Sequence, residues 1–84
     1  TETAVTPTIT AGSTTVTTTN GGTKAVSGLG STCTVNVSGA GYVYINGVAT
    51  TSATFTLTNT ITKVQVIVQN GEAAPYITWL MLRA

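Results

Sequence analysis

Apolar and polar residues alternate along most of the chain. Cys33, Val35 and Val37 alternate with Thr32, Thr34 and Asn36, and Val43 and Ile45 alternate with Tyr42 and Tyr44. Ala53, Phe55 and Leu57 alternate with Thr54, Thr56 and Thr58. Val64, Val66 and Val68 alternate with Lys63, Gln65 and Gln69, and Ile67 is the exception on that polar face. A period of two marks a strand with one buried face. No window of about 11 residues sustains the apolar spacing of a helix.

The N-terminal part follows the same pattern more loosely. Val5, Pro7 and Ile9 share one face of residues 1–10, a Thr-rich run at 14–19 surrounds Val16, and residues 23–26 make a short strand. Pro7 cannot donate a ladder hydrogen bond, so residues 1–10 are expected to form an N-terminal tether or edge strand. Residues 11–84 are expected to form a single domain. Asn20-Gly21-Gly22 and Asn46-Gly47 are turn sequences, because Asn and Gly tolerate positive φ. Ser38-Gly39-Ala40-Gly41 is a third, and it makes residues 32–45 the best hairpin candidate. Leu29, in a loop between Gly28 and Gly30, is expected to plug into the core. Turns recurring about every 8–12 residues predict seven to eight strands. The fold class is all-β, a small antiparallel β-sandwich or jelly roll.

Residues 76–82 break the rule of one polar face. Tyr76, Leu80 and Leu82 share a face with Thr78, while Ile77, Trp79 and Met81 share the other. The stretch is far short of the roughly 20 apolar residues of a membrane helix, and no membrane partner is expected. An outer strand of a two-layer domain normally turns a polar face to water. Something is therefore expected on each side of this strand: the domain's own core, a second subunit or a ligand.

Composition narrows the choice. A chain of 84 residues buries little more than half of its unfolded surface and needs help to be stable. Cys33 is the only cysteine, so no intrachain disulfide can supply that help. With no His, no Asp, and only Glu2 and Glu72 as carboxylates, a metal site built from the chain alone is not expected. Oligomerisation is the remaining common device. The five charged side chains are Glu2, Lys24, Lys63, Glu72 and Arg83, giving a net charge of +1, and 21 residues are Thr. Solubility thus rests on hydroxyls, which suits an extracellular or particle-bound structural protein. Three scattered basic residues make no phosphate-binding patch, so no nucleic-acid partner is expected. The absence of Met at Thr1 is expected to mark a processed chain or an excised domain.

The same inventory argues against catalysis and against any cofactor. Without His there is no Ser–His or Cys–His nucleophile, and the two glutamates fall in a terminus and a loop. Cys33 has no basic neighbour in sequence to activate it and is expected to be a small buried hydrophobe. Sugar binding needs exposed rings and polar partners. The candidates are Tyr42, Tyr44, Tyr76 and Trp79, with Asn46 and Gln69 beside them. The alternative for the tyrosines is that Val43 and Ile45 face the core while Tyr42 and Tyr44 line a neighbouring chain or lie half exposed. For Trp79 the alternative is a subunit interface shared with Ile77 and Met81, residue types that fill interface cores.

Four segments in order, Gly41-Tyr-Val-Tyr-Ile-Asn-Gly47, Ala53-Thr-Phe-Thr-Leu-Thr58, Lys63-Val-Gln-Val-Ile-Val-Gln69 and Tyr76-Ile-Thr-Trp-Leu-Met-Leu82, resemble the second half of a carbohydrate-binding-module-type jelly roll. Such domains recur in phage tail fibres, receptor-binding proteins and capsid decorations. In that family the closing strand carries acidic residues that serve a structural calcium site. Thr78 and Trp79 stand at those positions and offer no carboxylate. Bacterial immunoglobulin-like domains share the Thr/Val/Gly texture. The resemblance implies a virion or extracellular structural module, and burial of the second apolar face implies a homo-oligomer, a trimer favoured, assembled through Ile77, Trp79 and Met81. The resemblance also implies a second role, binding a cell-surface glycan through Tyr42, Tyr44 or Trp79. A subunit of a bacterial surface fibre or pilus, polymerising through residues 1–10, is the third expectation.

Overall fold

A computed structural model of the chain describes residues 6–39, 41–72 and 74–84. Its strands are β1 (Thr8–Ala11), β2 (Thr14–Thr15), β3 (Thr23–Val26), β4 (Thr32–Ser38), β5 (Tyr42–Ile45), β6 (Val48–Ala49), β7 (Ser52–Thr56), β8 (Thr62–Gln69) and β9 (Tyr76–Leu82). They form two sheets, in the orders β2-β1-β4-β7 and β3-β9-β8-β5-β6. Every pairing is antiparallel except β3 with β9, which is parallel.

The alternation read from the sequence sets which residues point between the sheets. Val35, Val64, Val66, Ile9, Leu80 and Leu82 are fully buried there, while Thr34, Asn36, Thr54 and Thr56 line the outside of the four-stranded sheet. Leu29 packs partly buried against the core from its loop. The total accessible surface is 4679 Å². A compact monomer of this mass exposes about 4,650 Å², so one chain closes its own core.

Residues 32–45 are not a hairpin. β4 lies in one sheet and β5 in the other. Alternation specifies an inward face but not which sheet a strand joins, and Val35 and Val43 reach one core from opposite layers. β8 and β9 do form a hairpin within one sheet, and β4 pairs with β7 after the excursion through β5 and β6. This connectivity makes the chain a small two-sheet all-β sandwich, within the fold class the pattern predicted.

The Thr-rich run at 14–19 also departs from expectation. Only Thr14 and Thr15 pair, with Ala11 and Thr10. The chain then leaves the first sheet, and Val16 turns fully into the core. Thr17 Oγ1 accepts the amide of Ile9 at 2.8 Å, closing the ladder where β2 ends. β1 runs across the boundary expected at residue 10, and Ile9 and Pro7 are buried. Val5 and Glu2 lie outside the described residues.

The crossing segment reaches β9 and stays with it. Gly21 N–H donates to Ile77 O (2.6 Å), Trp79 N–H to Gly22 O (3.1 Å) and Arg83 N–H to Val26 O (3.0 Å). Asn20 Oδ1 accepts the Ile77 amide at 2.8 Å. Thr78 is fully buried in the core, and its hydroxyl donates to Gly22 O at 3.1 Å. A Cβ on Gly22 would lie 2.9 Å from the Thr19 carbonyl oxygen, so the tight approach needs glycine there.

Leu80→Ala tests whether β9 seats the core. Removing a fully buried leucine should lower stability by about 3 kcal/mol, seen as a fall in the urea midpoint. A loss below about 1 kcal/mol would contradict the packing described.

Candidate functional site

β9 is interior to its sheet, so its backbone is bonded on both sides and only its side chains can meet another molecule. Tyr76, Thr78, Leu80 and Leu82 point inward and are buried. Ile77, Trp79 and Met81 point outward, and Trp79 remains 37% exposed.

Strand register brings further apolar residues beside them. Ile77 is opposite Ile67 on β8, Ile67 is opposite Tyr44 on β5, and Tyr44 is opposite Ala49 on β6. Side chains directly opposite share a face, with neighbouring strands about 4.8 Å apart. Ala49, Tyr44, Ile67 and Ile77 thus form a row across four strands. The next row holds Gln65, Trp79 and Thr23, and the one after it Lys63, Met81 and Ala25. Tyr42, 71% exposed, begins the face at the other end, opposite Gln69. From the Gln69 row to the Lys63 row the face runs about 20 Å along β8.

At the Met81 end the face opens into a shallow groove of about 320 Å³ lined by Ala25, Val26, Ser27, Ile61, Met81 and Arg83. Ile61 is 57% exposed beside it. The groove is shallow, and its lining mixes aliphatic side chains with Ser27 and Arg83.

The two sets of residues expected to act separately therefore lie on one surface. Ile77, Trp79 and Met81 are joined to Tyr44 and Tyr42 through Ile67. Ile67 was visible in the sequence only as the exception on the polar face of β8, and register is what gives it neighbours. Tyr76 is not on this face. It points into the core, and its hydroxyl is buried with no hydrogen-bond partner. Asn46 is engaged structurally: at φ 51° it starts the turn between β5 and β6, and its Oδ1 accepts the amide of Gln65 at 2.8 Å. Gln69 Nε2 donates to Gly71 O at 3.0 Å. Neither side chain is poised toward a ligand.

Cys33 is buried on β4, opposite Phe55. Burial pushes its thiol up, and it pushes the Tyr76 phenol up as well. Both shifts favour the neutral form, so neither group is prepared as a nucleophile or base. Among the described residues, no three of His, Cys, Asp and Glu come together as metal ligands would. No family model, curated protein or solved structure matches the chain.

The raised thiol and phenol fix the sign of the pH dependence. A folded-state pKa above the unfolded value gives stability that is complete below the unfolded pKa and lost as pH rises beyond it. Urea midpoints should hold steady below about pH 8 and fall above about pH 8.5, where the unfolded thiol ionises. Cys33 should label with a thiol reagent only on unfolding. Rapid stoichiometric labelling of the native protein would contradict its burial.

Proposed function

We propose that this chain is a structural assembly module that self-associates through the outer face of its five-stranded sheet. One observation carries the reading. Ile77, Trp79 and Met81 continue through Ile67 to Tyr44 as an apolar strip on a sheet whose inner face is already filled by the chain's own core. Aliphatic and aromatic residues of this kind make up interface centres. The part of Trp79 still exposed, about 90 Å² of a side chain of about 250 Å², contributes about 2 kcal/mol when buried. The setting that fits the neutral, hydroxyl-rich surface and the resemblance is a virion, as a phage fibre or capsid decoration, or another extracellular fibre. A homo-oligomer follows, with the trimer as the expected order.

Glycan recognition is the second reading. It is favoured by the exposure of Tyr42 at the rim of the same face, where it remains accessible after the centre around Ile77 and Trp79 is covered. Strand donation by residues 1–10 fits less well, because Ile9 fills the chain's own core.

The test is absolute mass in solution by light scattering. The wild type should exceed the mass of one chain, and Trp79→Asp should lower that mass while far-ultraviolet circular dichroism stays unchanged. An unchanged mass in Trp79→Asp would overturn the reading. Tyr42→Ala should leave the mass intact and reduce retention on a glycan array.

A further inference from the structure

The two sheets have four edges, and three of them are blunted. β2 and β6 are two residues each, and β3 carries the exposed Lys24 at its centre. Short strands and edge lysines keep other strands from adding on. β7 is different. It has five residues, Ser52–Thr56, with no charge and no proline, and no strand lies beyond it among the described residues.

The direction of its free backbone groups follows from its register on β4. Val37 N–H donates to Thr51 O, and Leu57 N–H to Ser31 O. These bonds set the alternation: Ala53 and Phe55 direct their backbone groups at β4, while Ser52, Thr54 and Thr56 direct theirs outward. At Ser52 the chain covers its own edge. Thr50 Oγ1 accepts the Ser52 amide at 3.3 Å and donates to the Ser52 carbonyl at 2.8 Å. Thr54 and Thr56 have no such cover among the described residues.

We infer that this edge pairs with β7 of a second copy of the chain, antiparallel and centred on Thr54. In that register Thr54 faces the second copy's Thr54, and the two exchange both of their outward bonds. Ser52 faces Thr56, and each such pair also bonds once Thr50 swings aside. The outer face then meets hydroxyl to hydroxyl, with no like charges opposed. On the inner face Phe55 meets Ala53, a large residue against a small one, in both directions at once. Phe55 and Ala53 are each half-buried at the rim of the core, so the partner strand covers what the chain leaves open. Such self-complementarity is what a two-fold contact requires. The two four-stranded sheets become one continuous sheet. The contact is separate from the apolar face of the other sheet and does not rest on it.

Thr54→Cys tests the register. Opposed residues of a hydrogen-bonded antiparallel pair lie about 5.5 Å apart at Cα, within disulfide range. Mild oxidation should give about ten-fold more covalent dimer from Thr54→Cys than from Asn36→Cys, an exposed position on the central strand β4. The wild type, with only buried Cys33, should give none. The yield should persist in a Trp79→Asp background, which removes the face contact alone. Thr56→Pro deletes an outward N–H without touching the β4 ladder, and added to Thr54→Cys it should return the yield to the Asn36→Cys level. Equal yields from Thr54→Cys and Asn36→Cys would overturn the inference. So would a folded Thr54→Cys/Thr56→Pro variant that still cross-links.

Discussion

The structure depends on β9 being bonded along both edges. β8 holds it antiparallel on one side, and the crossing segment that becomes β3 holds it parallel on the other. Its inner side chains, Tyr76, Thr78, Leu80 and Leu82, then complete the core opposite β1, β4 and β7. Because no backbone group of β9 is free, its outer side chains are the only part that can meet anything else. The parallel pairing also anchors the N-terminal third of the chain. Without Asn20, Gly21 and Gly22 against Ile77 and Trp79, the segment from Val16 onward would have no sheet to join.

A domain this small has little stability in reserve, and a single cysteine allows no intrachain disulfide to add any. The core is built mainly from Val, Ile and Leu in regular alternation, and the hydroxyl of the buried Thr78 is bonded. The outside of the four-stranded sheet carries hydroxyls, as in the Thr34–Thr54 pair at 2.9 Å, and no charge among the described residues. The charged residues described, Lys24, Lys63, Glu72 and Arg83, belong to the five-stranded sheet or its loops. The two outer surfaces therefore differ in kind. One is hydroxylated and uncharged with an open edge, and the other is apolar with cations at one end.

Much of this was legible in the residues. The period of two placed Val35, Val37, Val43, Ile45, Val64, Val66 and Val68 inside, because a strand's alternation is local and survives any arrangement of sheets. The two apolar faces of residues 76–82 were equally local, so Ile77, Trp79 and Met81 could be singled out before any neighbour was known. Turn residues such as Asn46-Gly47 marked where strands end, since positive φ is a property of the residue itself. What the sequence could not determine is which strand lies beside which. Residues 32–45 alternate as a hairpin would, yet β4 and β5 belong to different layers. Residues 14–19 have strand composition, yet only Thr14 and Thr15 pair. Ile67 stands next to Ile77 and Tyr44 only through register, and Tyr76 left the candidate site because the Leu80 face of β9, not the Trp79 face, turned inward. The open edge of β7 also exists only in the folded chain. Face and turn are set by a few neighbouring residues, whereas register and edge are set by contacts between residues distant in sequence, which only the closed sandwich decides.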